Sequence, residues 1–118
     1  MIGVDTVSIA RIKKAVQSDA FRNGVYTREE QEYCDAKPRP YESYAGLFCA
    51  KEAAVKAAKC AFGNGVMPKN IEVKHDEYGA PELYFHGAAC NVFDKYTADV
   101  SISHDGDTAV AVVELTVK

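Results

Sequence analysis

An α+β fold is what this sequence predicts, with an antiparallel sheet packed against one long and several short helices in a single compact domain over residues 1–118. Three observations carry that expectation. The stretch from about Glu42 to Phe62 is rich in alanine, holds no proline and has Gly46 as its interior glycine, which is the composition of one long helix. The stretches IEVKH, ELYFH, DVSISHD and TAVAVVELTV are strand-like and are punctuated by the turn-forming DEYGAP and DGD, a pattern of antiparallel pairing. A chain of 118 residues fits one domain and has no room for a second.

The remaining elements follow in order. Ile2 and Val4 alternate with smaller or polar residues, so a short strand is expected to end near Asp5. Ser8 is placed to cap a helix in which Ile9, Ile12 and Val16 form an apolar stripe. Arg11, Lys13 and Lys14 fall off that stripe, giving the helix a basic outer face. Thr27 and Glu30 have capping-box spacing and start a second, short helix. Pro38 and Pro40 interrupt it, so residues from Asp35 to Pro40 read as a loop. Gly63, Asn64 and Gly65 end the long helix, and a short helix runs through Ala88, Val92, Phe93 and Tyr96. Ala109 to Val113 run without polar alternation, as expected of a fully buried central strand or of a strand at a subunit boundary.

Composition excludes several classes of function. A content of 47% hydrophobic and 26% charged residues is that of an ordinary globular domain, not a disordered chain. The net charge of -3 argues against a protein that grips nucleic acid through many phosphates. No segment approaches the roughly 18 apolar residues of a membrane span, and MIGVDTVSIARI lacks the pattern of a secretory signal. The four cysteines show no CxxC and no zinc-like spacing, so reduced thiols and a cytoplasmic location are expected.

Several residues are candidates for chemistry, each with a plainer alternative. On a helix turning 100° per residue, Glu52, Lys56 and Lys59 fall within an arc of about 60°. Phe48 and Val55 flank one side and Cys49 and Ala53 the other, with Lys51 as a separate polar exit. A narrow charged window in an otherwise apolar helix points to a cleft, whereas a solvated Glu-to-Lys pair is the ordinary alternative. Asp5 reads as a functional carboxylate or as a helix cap. His104 closes SISH at a strand end, where a histidine binds phosphate, donates a proton or simply occupies a turn. Gly63 to Gly65 stop a helix or expose amides to phosphate, and without the Walker lysine they are not a P-loop.

Taken together, IGVDTVSIARI, AGLFCAKEAAVKA and DVSISHDGDTAVAVVEL resemble the small holo-acyl carrier protein synthases, the short phosphopantetheinyl transferases. FRNGVYTREE and IEVKHDEYGAPEL fall between them in the family's order, so the resemblance spans nearly the whole chain. It implies transfer of the 4'-phosphopantetheine group of coenzyme A to a serine of an acidic acyl carrier protein, with release of 3',5'-ADP. It also implies a Mg2+ ion held by Asp5 and Glu52, with Lys56 on the coenzyme phosphates and Ser101, Ser103 and His104 near the coenzyme. Asp5, Glu52, Lys56 and His104 are then the catalytic set, and Lys56, Ser103 and His104 the coenzyme contacts. Arg11, with Lys14 one turn on, would face the carrier protein, and the assembly would be a homotrimer with sites between subunits.

The chain departs from the family pattern where Leu47 and Gly24 replace usual arginines and where AAKCAFGNG stands in place of a Gly-Thr-Gly. Those departures motivate a second reading, a non-catalytic homologue that binds a nucleotide or a carrier protein. Retention of Asp5, Glu52, Lys56 and His104 favours the enzyme.

Overall fold

A computed structural model describes residues 1–58 and 66–118 of the chain. The first strand, β1 (Ile2–Ser8), is longer than the alternation of Ile2 and Val4 predicts. It runs on past Asp5 because Asp5, Thr6, Val7 and Ser8 all keep partners on a neighbouring strand. Helix α1 (Ile9–Ala15) begins where Ser8 accepts from the Arg11 N–H, and it buries Ile12. Helix α2 (Asp19–Val25) was not expected from sequence. Asn23 and Gly24 are poor helix formers, but Ser18 caps the start and Val25 and Tyr26 anchor the end in the core. Helix α3 (Arg28–Asp35) carries the expected Thr27–Glu30 capping box.

The long helix α4 (Pro40–Ala58) starts on Pro40, which suits a first helical position because no intrahelical N–H is needed there. The expected continuation to Phe62, with Lys59 and Cys60 on it, and the stop at Gly63, Asn64 and Gly65 lie outside the described residues. A short 3-10 turn (Pro68–Asn70) leads into strand β2 (Ile71–His75), which pairs with β3 (Pro81–Phe85). Helix α5 (Ala88–Phe93) connects to β4 (Tyr96–Asp105) and β5 (Thr108–Val117).

The antiparallel strands form two sheets, one of order β1-β5-β4 and one of β2-β3. β5 is the centre of the larger sheet, matching Asp5 with Ala111 and Ala111 with Ile102 in one cross-strand row. Its apolar run is not buried on both sides in the single chain. Ala109, Ala111, Val113 and Leu115 face the core, while Val112 on the other face is 41% exposed. Strand alternation is therefore present, hidden in the sequence because both faces carry apolar side chains.

Helix α4 lies across the inner face of this sheet, and small residues bring it close. Ala45, Ala50, Ala53, Ala54 and Ala57 are fully buried. At Gly3 a Cβ would stand 2.0 Å from the Ala53 carbonyl oxygen and 2.4 Å from the Ala57 nitrogen, so β1 crosses α4 in backbone contact. That crossing fixes Asp5 beside the helix turn that carries Glu52 and Lys56.

One residue of α4 corrects a sequence expectation. Lys51 is not a polar exit to solvent but is 1% exposed. Its Nζ donates to Glu30 Oε1 at 2.8 Å, to the Ile71 carbonyl at 2.6 Å and to the Pro68 carbonyl at 3.2 Å. Glu30 also accepts from the Thr27 and Val73 N–H groups, so the α3 cap, α4 and β2 share one ion pair. Burial pulls the Lys51 ammonium below its ordinary pKa while Glu30 opposes the shift. Thr27 Oγ1 extends the network by donating to Glu72, which meets His86 Nε2 at 2.7 Å. Among the described residues no helix is long and apolar enough to cross a membrane.

Candidate active site

Where β1 crosses α4, three charged side chains separated in sequence come together. Lys56 Nζ lies 2.9 Å from Asp5 Oδ1, and the Asp5 carboxylate is largely buried against the helix. Glu52, one turn before Lys56, has its carboxyl held above the ordinary range by burial first and by the Asp5 charge second, with Lys56 opposing. The two carboxylates are therefore close enough to repel each other. Cys49, a turn before Glu52, is fully buried and lies against Asp5 and the Ala109 carbonyl. Burial, then the Asp5 charge, pushes its thiol up to about 12, so it is an inert lining and not a nucleophile.

This donor set fits a magnesium ion. Mg2+ takes one or two protein carboxylates and completes an octahedral shell with water and substrate phosphates. Among the described residues no group of three or more His, Cys, Asp and Glu is placed to hold a metal. Burial first and the Asp5 charge second disfavour ionised Glu52, and a cation held by the two carboxylates would offset that charge, a role the Lys56 ammonium takes in part.

His104 lies on the same inner face of the sheet but further along. It pairs with Ala109, which pairs with Val7, so it is two strands across and two residues along from Asp5, about 12 Å between backbones. Its Nε2 meets the Glu42 carbonyl at 2.8 Å, and it lines a cavity of about 150 Å3 with Tyr33, Leu47 and His75. Tyr33 and His75 stack there with ring centroids 3.9 Å apart.

Ser103 and Ser101 project from the opposite face, paired with Val110 and Val112. The structure thus brings Asp5, Glu52 and Lys56 together, sets His104 at a distance on the same face, and leaves Ser103 on the far side. Arg11, Lys13 and Lys14 are exposed on α1, and Lys13 lies over the Tyr41 ring. Leu47 is buried in the core. Gly24 has no atom within 4 Å of where a Cβ would stand, so nothing in the fold requires glycine there. Sequence reasoning did not assign Gly3 or Gly46 to the site. Gly46 had a signal, since an interior helix glycine needs a packing reason.

A model of the 4'-phosphopantetheinyl transferase superfamily matches residues 1–113. The chain belongs to that superfamily. It is 44% identical over 112 residues to a holo-[acyl-carrier-protein] synthase of Chlorobaculum parvum, covering 93% of this chain and 92% of that one. It is 38% identical to the synthase of Geobacter sulfurreducens, covering 96% and 94%. Among solved structures, the Helicobacter pylori holo-[acyl-carrier-protein] synthase in complex with coenzyme A superposes with a TM-score of 0.86 at 33% identity, covering 98% of this chain and all of that one. The Bacillus anthracis synthase, in complex with CoA (3',5'-ADP), gives 0.79 at 34% identity, covering 97% and 93%. Membership makes the chain an enzyme of the phosphopantetheinyl transferase class, with the fold of the family.

Proposed function

We propose that this chain moves the 4'-phosphopantetheine arm of coenzyme A onto a serine of an acidic acyl carrier protein, in the cytoplasm, with Asp5 and Glu52 holding Mg2+. The observation that carries this reading is the convergence of Asp5, Glu52 and Lys56 at the crossing of β1 and α4. Free thiols at Cys34, Cys49 and Cys90 accord with a reducing compartment.

In the reaction the serine oxygen bonds to the β-phosphorus of coenzyme A. The bond to the bridging oxygen breaks, and 3',5'-ADP leaves with the electron pair. When bound, Mg2+ orients the diphosphate and offsets the charge that grows on the leaving group. Lys56, more than half exposed, swings from Asp5 to the phosphates and adds a point charge there. The serine proton would pass to Glu52 or to a water in the site. His104 hydrogen-bonds the coenzyme further along the same face, at a spacing that a long, diphosphate-linked nucleotide spans.

Ser103 enters the same site only if a second chain supplies it. The outer sheet face that bears Ser103 also bears Ile2, Val4 and Val112, exposed at 63%, 51% and 41%. Apolar exposure of this kind favours burial against a neighbour, as in a closed homotrimer whose chains share a site. Basic Arg11 and Lys14 on α1 suit the acidic surface of the carrier.

The test is to incubate the protein with coenzyme A, Mg2+ and apo carrier protein and to weigh the carrier. A gain of one phosphopantetheine is expected, and it should vanish in Asp5→Asn and Glu52→Gln. An unmodified carrier alongside undiminished coenzyme binding would leave the chain a binding protein.

A further inference from the structure

Gly46 lies inside α4, between Ala45 and Leu47, both strong helix formers. Glycine there loses backbone entropy that alanine would spare, so its presence calls for a spatial cause. That cause lies on β4. A Cβ at position 46 would stand 2.8 Å from Ile102 Cγ2 and 3.1 Å from His104 Nε2. The first distance is closer than side-chain carbons approach, and the second crowds the ring nitrogen.

His104 Nε2 lies 2.8 Å from the carbonyl oxygen of Glu42, four residues before Gly46. A carbonyl only accepts, so Nε2 carries the hydrogen and the neutral ring is the Nε2–H tautomer. Nδ1 is 3.9 Å from Glu42 Oε1, beyond hydrogen-bond reach, and the ring lines the cavity formed with Tyr33 and His75.

We propose that Gly46 is a positioning residue for His104: its missing side chain lets the imidazole seat on α4 and give its Nε2 hydrogen to the Glu42 carbonyl, which presents Nδ1 to the ligand. Nδ1, an acceptor in that tautomer, then faces the coenzyme, an extension that rests on the reading of His104 as a coenzyme contact. The same seat explains how an exposed strand end holds a ring in one orientation without a buried partner. Ile102, two residues earlier on the same face, closes the other side of the gap.

The test uses Gly46→Ala in 15N-labelled, coenzyme-free protein. The chain has three histidines, so single variants assign each ring, and long-range proton–nitrogen correlation reads the tautomer. Wild type should show neutral His104 as the Nε2–H form. Gly46→Ala should lose that preference and raise KM for coenzyme A at least about fivefold, with KM for carrier within about twofold. The double variant Gly46→Ala with Ile102→Ala removes the contact to Ile102 but keeps the one to Nε2, so it should still lack the Nε2–H preference; it also serves if the single variant fails to fold by circular dichroism. Retention of the wild-type tautomer in Gly46→Ala overturns the proposal. Loss of the tautomer with coenzyme KM unchanged upholds the role of Gly46 and instead removes His104 from the coenzyme site.

Discussion

Lys51→Met tests whether the interior ion pair holds the fold. The substitution keeps the volume of the side chain but strips the ammonium from Glu30 and from the carbonyls of Pro68 and Ile71. Breaking a buried pair by removing one partner costs about 3 to 5 kcal/mol, because a charge stays behind without its counter-charge. Glu30 keeps the N–H groups of Thr27 and Val73, which places this case near the lower end, about 3 kcal/mol. For 118 residues the unfolding entropy is about 250 cal/mol/K, so the melting temperature should fall by about 12 °C. Urea unfolding at fixed protein concentration gives the free energy, and calorimetry gives the temperature. Adding Glu30→Gln to Lys51→Met removes the stranded charge and should recover at least about 1 kcal/mol. The reasoning is refuted if Lys51→Met costs less than about 1 kcal/mol, or if the double variant is no more stable than the single one.

Three further outcomes are expected. Because burial and then Asp5 raise Glu52 above its ordinary 4.5, the folded chain binds that proton more tightly than the unfolded chain does. Glu52 therefore contributes stability below 4.5 that is lost as pH rises through its folded pKa. The same proton competes with a divalent ion, so Mn2+ affinity measured by calorimetry should fall on acidification with a midpoint above 4.5, and a midpoint at or below it is contrary. Reversing Arg11 to Glu should raise KM for the carrier about tenfold and leave KM for coenzyme A nearly unchanged, with equal effects on both removing α1 from the docking surface. Sedimentation equilibrium should give three times the 12.9 kDa chain mass, and Val112→Asp on the exposed sheet face should release the monomer; full activity from a monomer at micromolar concentration rules out the shared site.

The features legible in the sequence were those with local causes. Ser8 and Thr27 cap helices because a hydroxyl two or three residues from a free N–H does so without distant help. The apolar stripe of Ile12 and Val16 follows from periodicity, and the burial of α4 from an almost wholly apolar circumference. Asp5, Glu52 and Lys56 stood out by residue type and by resemblance, since residues 47 and 51 positions apart share no local signal. What escaped was decided across the fold. Lys51 looks like a solvent-facing lysine in any helical projection, and only the approach of Glu30, Pro68 and Ile71 from other elements makes its site interior. Ser103 and His104 are neighbours in sequence, yet strand geometry sends them to opposite faces once the strand is known to run unbroken through both. Helix α2 was overlooked because its propensity is weak and its stability comes from packing of Val25 and Tyr26.

The order in which the sheet is laid down bears on how the protein is made. Among the described residues β1 and β4 each pair only with β5, which follows the other described elements, and β1 meets it across a hundred residues or more. A ribosome releases β1 early, with its exposed Ile2 and Val4 and no strand to receive them. Until β5 emerges, the carboxylate of Asp5 has no sheet to hold it against α4, and folding must wait for long-range closure. Nascent chains stalled before residue 108 should therefore present an unpaired edge and depend on chaperones, while those that clear β5 should close β1 and β4 around it in one cooperative step.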